Sequence, residues 1–144
     1  MKEDKEICVF CKIFEGSLES SIVFEDEYCA AFMDIRPVNT GHLLIVPKKH
    51  ISYITEEDSL ISAHLMKVAT RIQGAVQKSQ IKQEGFNYLI ANGEAAGQEV
   101  FHVHLHLIPR YSGDGFGFQF SPEYGKIAER DKLDAIADEI KKQL

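Results

Sequence analysis

This sequence has no apolar run near the roughly 20 residues that a membrane-spanning helix needs, so no membrane partner is expected. Its first residues, Met-Lys-Glu-Asp-Lys-Glu, are too polar for a signal peptide, which points to the cytoplasm. Cysteine is scarce. Cys8, Cys11 and Cys29 make an odd count with one CxxC pair, which argues against a disulfide framework and for metal or redox chemistry. Basic residues are in deficit, 16 against 22 acidic ones, and the net charge of −6 argues against the positive surface that nonspecific nucleic-acid binding requires. No nucleic-acid partner is expected, although local groups could still hold a small anion. Internal repeats and low-complexity tracts are also missing. What is left, 144 residues at 44% hydrophobic and 26% charged, suits one domain over residues 1–144 with a sizeable core.

The most informative stretch is Phe101 to Ile108, Phe-His-Val-His-Leu-His-Leu-Ile, where histidine and apolar residues alternate with the period of a β-strand. That period puts His102, His104 and His106 on one face and Phe101, Val103, Leu105 and Leu107 on the other, as an apolar stripe for a core. A lone histidine is more often a buried, satisfied residue than a functional one. Three on one face reverse that preference. Such a row can ligate a metal together, divide into nucleophile and acid or base, or bind an anion, and the strand alone does not choose among these.

The rest of the chain reads as alternating short elements. Ile7, Phe10, Ile13 and Phe14 recur at helical spacing and Gly16 stops them. Strands are predicted over Ser21 to Glu25 and Tyr28 to Met33, joined by a tight hairpin, and over His42 to Val46 after a turn-rich segment containing Pro37. Thr55 is placed to cap a long helix whose apolar face is Ile61, Leu65, Val68, Ile72 and Val76, with His64 and Lys67 solvated. A fourth strand, Phe86 to Ala91, leads into Asn92-Gly-Glu-Ala-Ala-Gly-Gln and the histidine strand. Beyond Pro109, an irregular but packed tail to Gly125 precedes an amphipathic helix marked by Leu133, Ile136, Ala137, Ile140 and Leu144. Cys29 reads as a buried apolar strand residue. The fold class is α+β, with about five antiparallel strands and packed helices.

His102-Val-His104-Leu-His106-Leu-Ile matches the His-φ-His-φ-His-φ-φ signature (φ apolar) of the histidine triad, or HIT, nucleotide-binding family. Cys-Val-Phe-Cys-Lys-Ile-Phe, Ala-Phe-Met-Asp-Ile, Gly-His-Leu-Leu-Ile-Val-Pro-Lys-Lys-His and the Gly-Gln loop extend the resemblance over most of the chain, which is most similar to the bacterial Hint-like branch. The resemblance implies a HIT-like, homodimeric α+β domain that hydrolyses purine nucleoside phosphoramidates or related nucleoside 5′-phosphate derivatives to a nucleoside monophosphate. It assigns His104 as the nucleophile that forms a nucleotidyl-histidine intermediate, and His106 and His42 to the phosphate, with His102 completing the triad. It places Asn92, Gly97 and Gln98 around the phosphate, Asp34 on the ribose hydroxyls, and Phe10, Ile13 and Phe32 around the base. Cys8, Cys11, His50 and His102 resemble a structural zinc site, and no organic cofactor is implied. Alternatives are a dinucleoside polyphosphate hydrolase, a nucleotide-binding regulatory module with weak activity, and a hydrolase using all three triad histidines as metal ligands.

One residue departs from the pattern. After Gln98 the Hint-like branch usually has a serine that assists the leaving group, and here Glu99 stands in its place. A carboxylate donates no proton unless protonated, and it repels phosphate at close range. Glu99→Ser is therefore expected to raise turnover of an adenosine phosphoramidate in a steady-state assay; an unchanged or lower rate would show that Glu99 is no impediment.

Overall fold

The structure is a computed structural model in which residues 7–144 are described, so the Met1-to-Glu6 stretch behind the signal-peptide reading lies outside the described residues. Five strands form one antiparallel sheet: β1 (Ile22–Glu25), β2 (Cys29–Met33), β3 (Leu43–Pro47), β4 (Gly85–Leu89) and β5 (Leu105–Arg110), in the spatial order β1-β2-β3-β5-β4. Their alternation makes two apolar surfaces. Cys29, Ala31, Leu43, Ile45, Val103, Leu105 and Leu107 pack with helix α2 (Ser59–Gln77) through its Leu65, Val68, Ala69, Ile72 and Val76. On the opposite face, Ala30, Phe32, Leu44 and Val46 pack with Cys8, Phe10 and Cys11, which are supplied by the short helix α1 (Val9–Phe14) and its N-cap. The register Leu44↔His106 puts His106 on the α1 face, while Leu43↔Leu107 and Ile45↔Leu105 direct their side chains to α2.

The histidine strand is shorter than its alternation predicts. Its ladder begins at Leu105, although buried positions continue through residues 102–104. The cause lies in the partners. The β3 pairing ends at Ile45↔Leu105, the Val103 N–H donates to Ile51 O at 2.7 Å, and Pro47 O accepts from the His102 ring at 2.7 Å. Residues 102–104 thus lie outside the ladder, entered through a bend at Phe101 and His102, and are tied down by individual bonds.

Other boundaries shift for local reasons. Thr55 precedes a 3-10 turn (Glu56–Asp58), and its hydroxyl bonds the Asp58 carboxylate at 3.0 Å instead of capping α2 by its side chain. The hairpin turn between β1 and β2 is built on Asp26, whose Oδ1 accepts the N–H groups of Tyr28 and Cys29 at 2.8 Å each. His64 is not simply solvated, because its Nε2 lies 2.6 Å from Asp26 Oδ2. Cys29 is buried as the sequence suggests, and burial together with the nearby Asp26 carboxylate pushes its thiol up to about 12.

The chain divides into two compact units, one ending at Asp114 and one from Gly115 to Leu144. The second unit holds α3 (Arg130–Lys141), and its irregular part is exposed where packing was expected: Phe118, Phe120 and Tyr124 lie at the surface, with Phe120 and Tyr124 stacked at 3.8 Å. Leu133, Ile136 and Ile140 of α3 are likewise exposed. No described helix is long and apolar enough to cross a membrane. Within the sheet core, Leu105 is 1% exposed at the centre of the α2 surface. Leu105→Ala should cost about 2–5 kcal/mol through lost burial and a residual cavity, measured by urea unfolding; a cost below about 1 kcal/mol would contradict this packing.

Candidate active site

A cavity of about 660 Å³ opens on the α1 face of the sheet. Its walls include Phe10 and Ile13 of α1, Phe32 and Met33 of β2, Asp34 just beyond β2, His42 and Leu44, the loop residues Gly97 and Glu99, and His104 and His106. The helix reaches this position because Cys8 caps it, with Sγ accepting the Cys11 N–H at 3.5 Å, while the Phe10 ring seats against Phe32, His102 and His104 with centroids 5.7, 5.6 and 5.1 Å away.

Backbone partners assign the ring protons. The Val38 N–H donates to His42 Nδ1 at 3.0 Å, so neutral His42 carries its proton on Nε2. That proton is donated to His106 Nδ1 at 2.9 Å, which leaves the proton of neutral His106 on its own Nε2. Asp34 Oδ2 lies 3.5 Å from His42 Nε2. His104 donates from Nδ1 to the carbonyl of His102 at 2.7 Å, so its Nε2 keeps a lone pair. His102 donates from Nε2 to Pro47 O and turns Nδ1 toward Cys8 Sγ at 3.3 Å and Cys11 Sγ at 3.7 Å.

The four imidazoles are held neutral chiefly by burial, which disfavours the charged ring. Burial and the neighbouring His104 and His42 push His106 down to about 4. His102 is also lowered to about 4 by burial, against the pull of the Pro47 carbonyl. Burial lowers His104 and His42 as well, opposed for His104 by the His102 carbonyl and for His42 by Asp34. The triad side of the cavity is therefore lined by neutral rings offering the His106 Nε2–H and the His104 Nε2 lone pair, with the Asp34 carboxylate beside them. At its mouth Glu99 Oε2 lies 3.7 Å from the Arg36 guanidinium, both side chains being more than 80% exposed.

The structure brings together Phe10, Ile13, Phe32, Asp34, His42, Gly97, His104 and His106 around the cavity. Asn92 and Gln98 are not in its lining. Asn92 uses its amide on the backbone of Ile54, accepting from N at 2.7 Å and donating to O at 3.2 Å. Gln98 is buried, accepting from the Gly93 N–H at 2.8 Å and donating to the carbonyls of Ser52 at 2.8 Å and Val100 at 3.0 Å. Those side chains shape the loop, and Gly97 is what it presents to the cavity. Sequence reasoning passed over Leu44, Leu18 and Val100. Leu44 was readable, because it lies two positions from His42 and so shares its face, whereas Leu18 and Val100 reach the cavity through loop geometry with no periodic signal. Behind the cavity, one ligating atom each from Cys8, Cys11, His50 and His102 lies within 4.8 Å of the others, with His50 Nδ1 at 3.3 Å from Cys11 Sγ.

Comparison with known proteins finds a match to the HIT domain over residues 15–113. A crystal structure of a HIT-family member from Bacillus subtilis superposes with a TM-score of 0.85 at 38% identity, covering 96% of this chain and 97% of that one. A Zn-bound histidine triad family protein from Mycobacterium smegmatis superposes with a TM-score of 0.74 at 33% identity, covering 98% of this chain and 100% of that one. Adenylylsulfatase HINT3 of Arabidopsis thaliana is 38% identical over 107 residues, 74% of this chain and 54% of that protein.

The buried imidazoles also set a pH dependence. His106 sits at about 4 in the folded protein against an ordinary 6.5, so between these values the unfolded chain binds more protons and stability falls as pH drops. The thermal midpoint should decline from pH 6.5 toward 4, and decline less in His106→Gln; parallel curves for the two proteins would contradict the assignment.

Proposed function

The chain belongs to the HIT family, and from that premise we propose that it is a hydrolase of nucleoside 5′-phosphate derivatives, purine nucleoside phosphoramidates foremost, working through a nucleotidyl-histidine intermediate. The observation that carries this reading is His104, whose Nδ1–H is committed to the His102 carbonyl at 2.7 Å while the ring lines the cavity. Its Nε2 lone pair attacks the α-phosphorus; the phosphorus–nitrogen bond breaks, and the departing amine takes a proton from solvent. The proton stays on Nδ1, hydrogen-bonded to the His102 carbonyl, which stabilises the cationic imidazole of the intermediate. Water then attacks the phosphorus, loses its proton to solvent, and releases the nucleoside monophosphate and neutral His104.

His42 and His106 act as a fixed donor chain. With His42 anchored by the Val38 N–H, His106 Nε2–H is offered to a nonbridging phosphate oxygen, while Gly97, its own N–H spent on Glu94 O at 2.9 Å, gives that oxygen room beside the loop. Asp34 serves as acceptor for ribose hydroxyls, and Phe10, Ile13 and Phe32 hold the base. A nucleoside 5′-phosphate derivative as substrate is also supported by the relative named adenylylsulfatase.

Cys8, Cys11, His50 and His102 suit zinc. Two sulfurs and two ring nitrogens match its ligand chemistry, and sulfur–nitrogen separations of 3.3 to 3.7 Å bracket the roughly 3.5 Å of a tetrahedral site. The Pro47 carbonyl already orients His102 with Nδ1 toward the sulfurs. These four residues would hold zinc as a structural ion that supplies no reacting group and would tie α1 to the segment before β5. The proposal extends to a cytoplasmic homodimer whose single HIT domain is residues 1–144.

Intact mass after incubation with an adenosine phosphoramidate should reveal a nucleoside monophosphate adduct that persists in His106→Ala and never forms in His104→Ala, whose turnover falls on the order of 10³-fold or more. Turnover by His104→Ala at the wild-type rate would sink the mechanism, and faster cleavage of a dinucleoside polyphosphate by the same preparation would displace the substrate class.

A further inference from the structure

On the α2 face of the sheet, away from the cavity, three chemically different ligating groups converge. Asp26 lies in the β1–β2 turn, Cys29 opens β2, and His64 stands on α2; one carboxylate oxygen, the sulfur and one ring nitrogen all lie within 4.8 Å of one another. Neither Cys29 nor His64 belongs to the triad or to the Cys8–Cys11 group. Cys29 packs with the α2 surface, whereas Cys8 and Cys11 pack on the opposite one.

The carboxylate is pre-oriented. Both backbone N–H groups that Asp26 accepts, from Tyr28 and Cys29, fall on Oδ1, which leaves Oδ2 facing His64 Nε2 at 2.6 Å. The Tyr28 ring packs edge-on against the imidazole with centroids 5.3 Å apart and restricts its swing. Cys29 is fully buried and forms no disulfide, while the side chains of Asp26 and His64 keep 26% and 28% of their surface, so the group is reached from solvent over its carboxylate and imidazole edge.

We propose that Asp26 Oδ2, Cys29 Sγ and His64 Nε2 form a second, independent binding site for a zinc-class divalent cation, with solvent as the fourth ligand. One thiolate, one imidazole and one carboxylate match zinc or cobalt and exclude magnesium and calcium, which require all-oxygen shells. The two amides on Oδ1 are the outer-shell support that ligating carboxylates need. On binding, the Cys29 thiol loses its proton to solvent, and the proton that His64 Nε2 shares with Asp26 Oδ2 leaves that nitrogen by exchange with water. The Asp26–His64 hydrogen bond opens by several tenths of an ångström to admit the ion. The cation then bridges the β1–β2 hairpin and α2, beside the contacts already made there by Arg71 over the Phe24 ring and by Tyr28 against His64.

Equilibrium dialysis of the full chain against zinc, with metal counted by mass spectrometry, tests the site by a difference that is independent of metal held by Cys8 and Cys11. Wild type should bind one equivalent more than His64→Ala. His64→Gln, which keeps a donor toward Asp26 and so guards against a folding effect, should lose the same equivalent. With cobalt as the probe, the near-ultraviolet thiolate charge-transfer band should weaken in Cys29→Ser relative to wild type. Equal zinc stoichiometry in wild type and both His64 variants overturns the site, and a cobalt band unchanged in Cys29→Ser removes Cys29 from it.

Discussion

The bond from His104 Nδ1–H to the carbonyl of His102 decides which nitrogen of the central imidazole is available, and it depends on a backbone oxygen that is not spent elsewhere. Had the ladder run from Phe101, the carbonyls of this stretch would have been claimed by neighbouring strands, as sheet interiors demand. Instead the pairing stops at Leu105, and residues 102–104 are held by the Ile51 and Pro47 carbonyls. The end of the ladder is thus part of the site. A pleated extension would have kept the same alternation of faces while withdrawing the acceptor that selects the tautomer.

Burial does the remaining electrostatic work. His42, His104 and His106 are pressed together with ring centroids about 5 Å apart, an arrangement that would be repulsive if the rings were charged. Keeping them neutral removes that repulsion and lets each act as an oriented dipole, with the proton position inherited from Val38 N–H at one end and His102 O at the other. In the proposed reaction, positive charge develops on His104 only when phosphorus is attacked, close to the oxygens that balance it.

Much of this was legible in the sequence because period-two alternation specifies faces without specifying partners. The α1 and α2 sides of β5, the apolar stripe of Leu65, Val68, Ile72 and Val76, and the five-stranded antiparallel class all follow from local pattern. What escaped was decided by distant groups. His64 looks solvated on a helical wheel and is drawn to Asp26, 38 residues away. Thr55 has the residue type of a cap, yet its hydroxyl is taken by Asp58. Asn92 and Gln98 sit in a loop that reads as anion-binding, but their amides are consumed by carbonyls and N–H groups of the 52–54 region, the loop itself and Val100. Side-chain amides serve backbone and ligand with equal competence, and only the fold says which is near.

Helix α1 has six residues, far below the length at which a helix holds itself together in water. Its order is borrowed: from Cys8 and Cys11 against His102 and His50 on one side, and from Phe10 against Phe32 on the other. Since the same six residues contribute Val9, Phe10 and Ile13 to the cavity, that wall has no free energy of its own to resist opening. The persistence of that wall therefore rests on its tertiary contacts, and whatever grips the CxxC turn sets how firmly it is held.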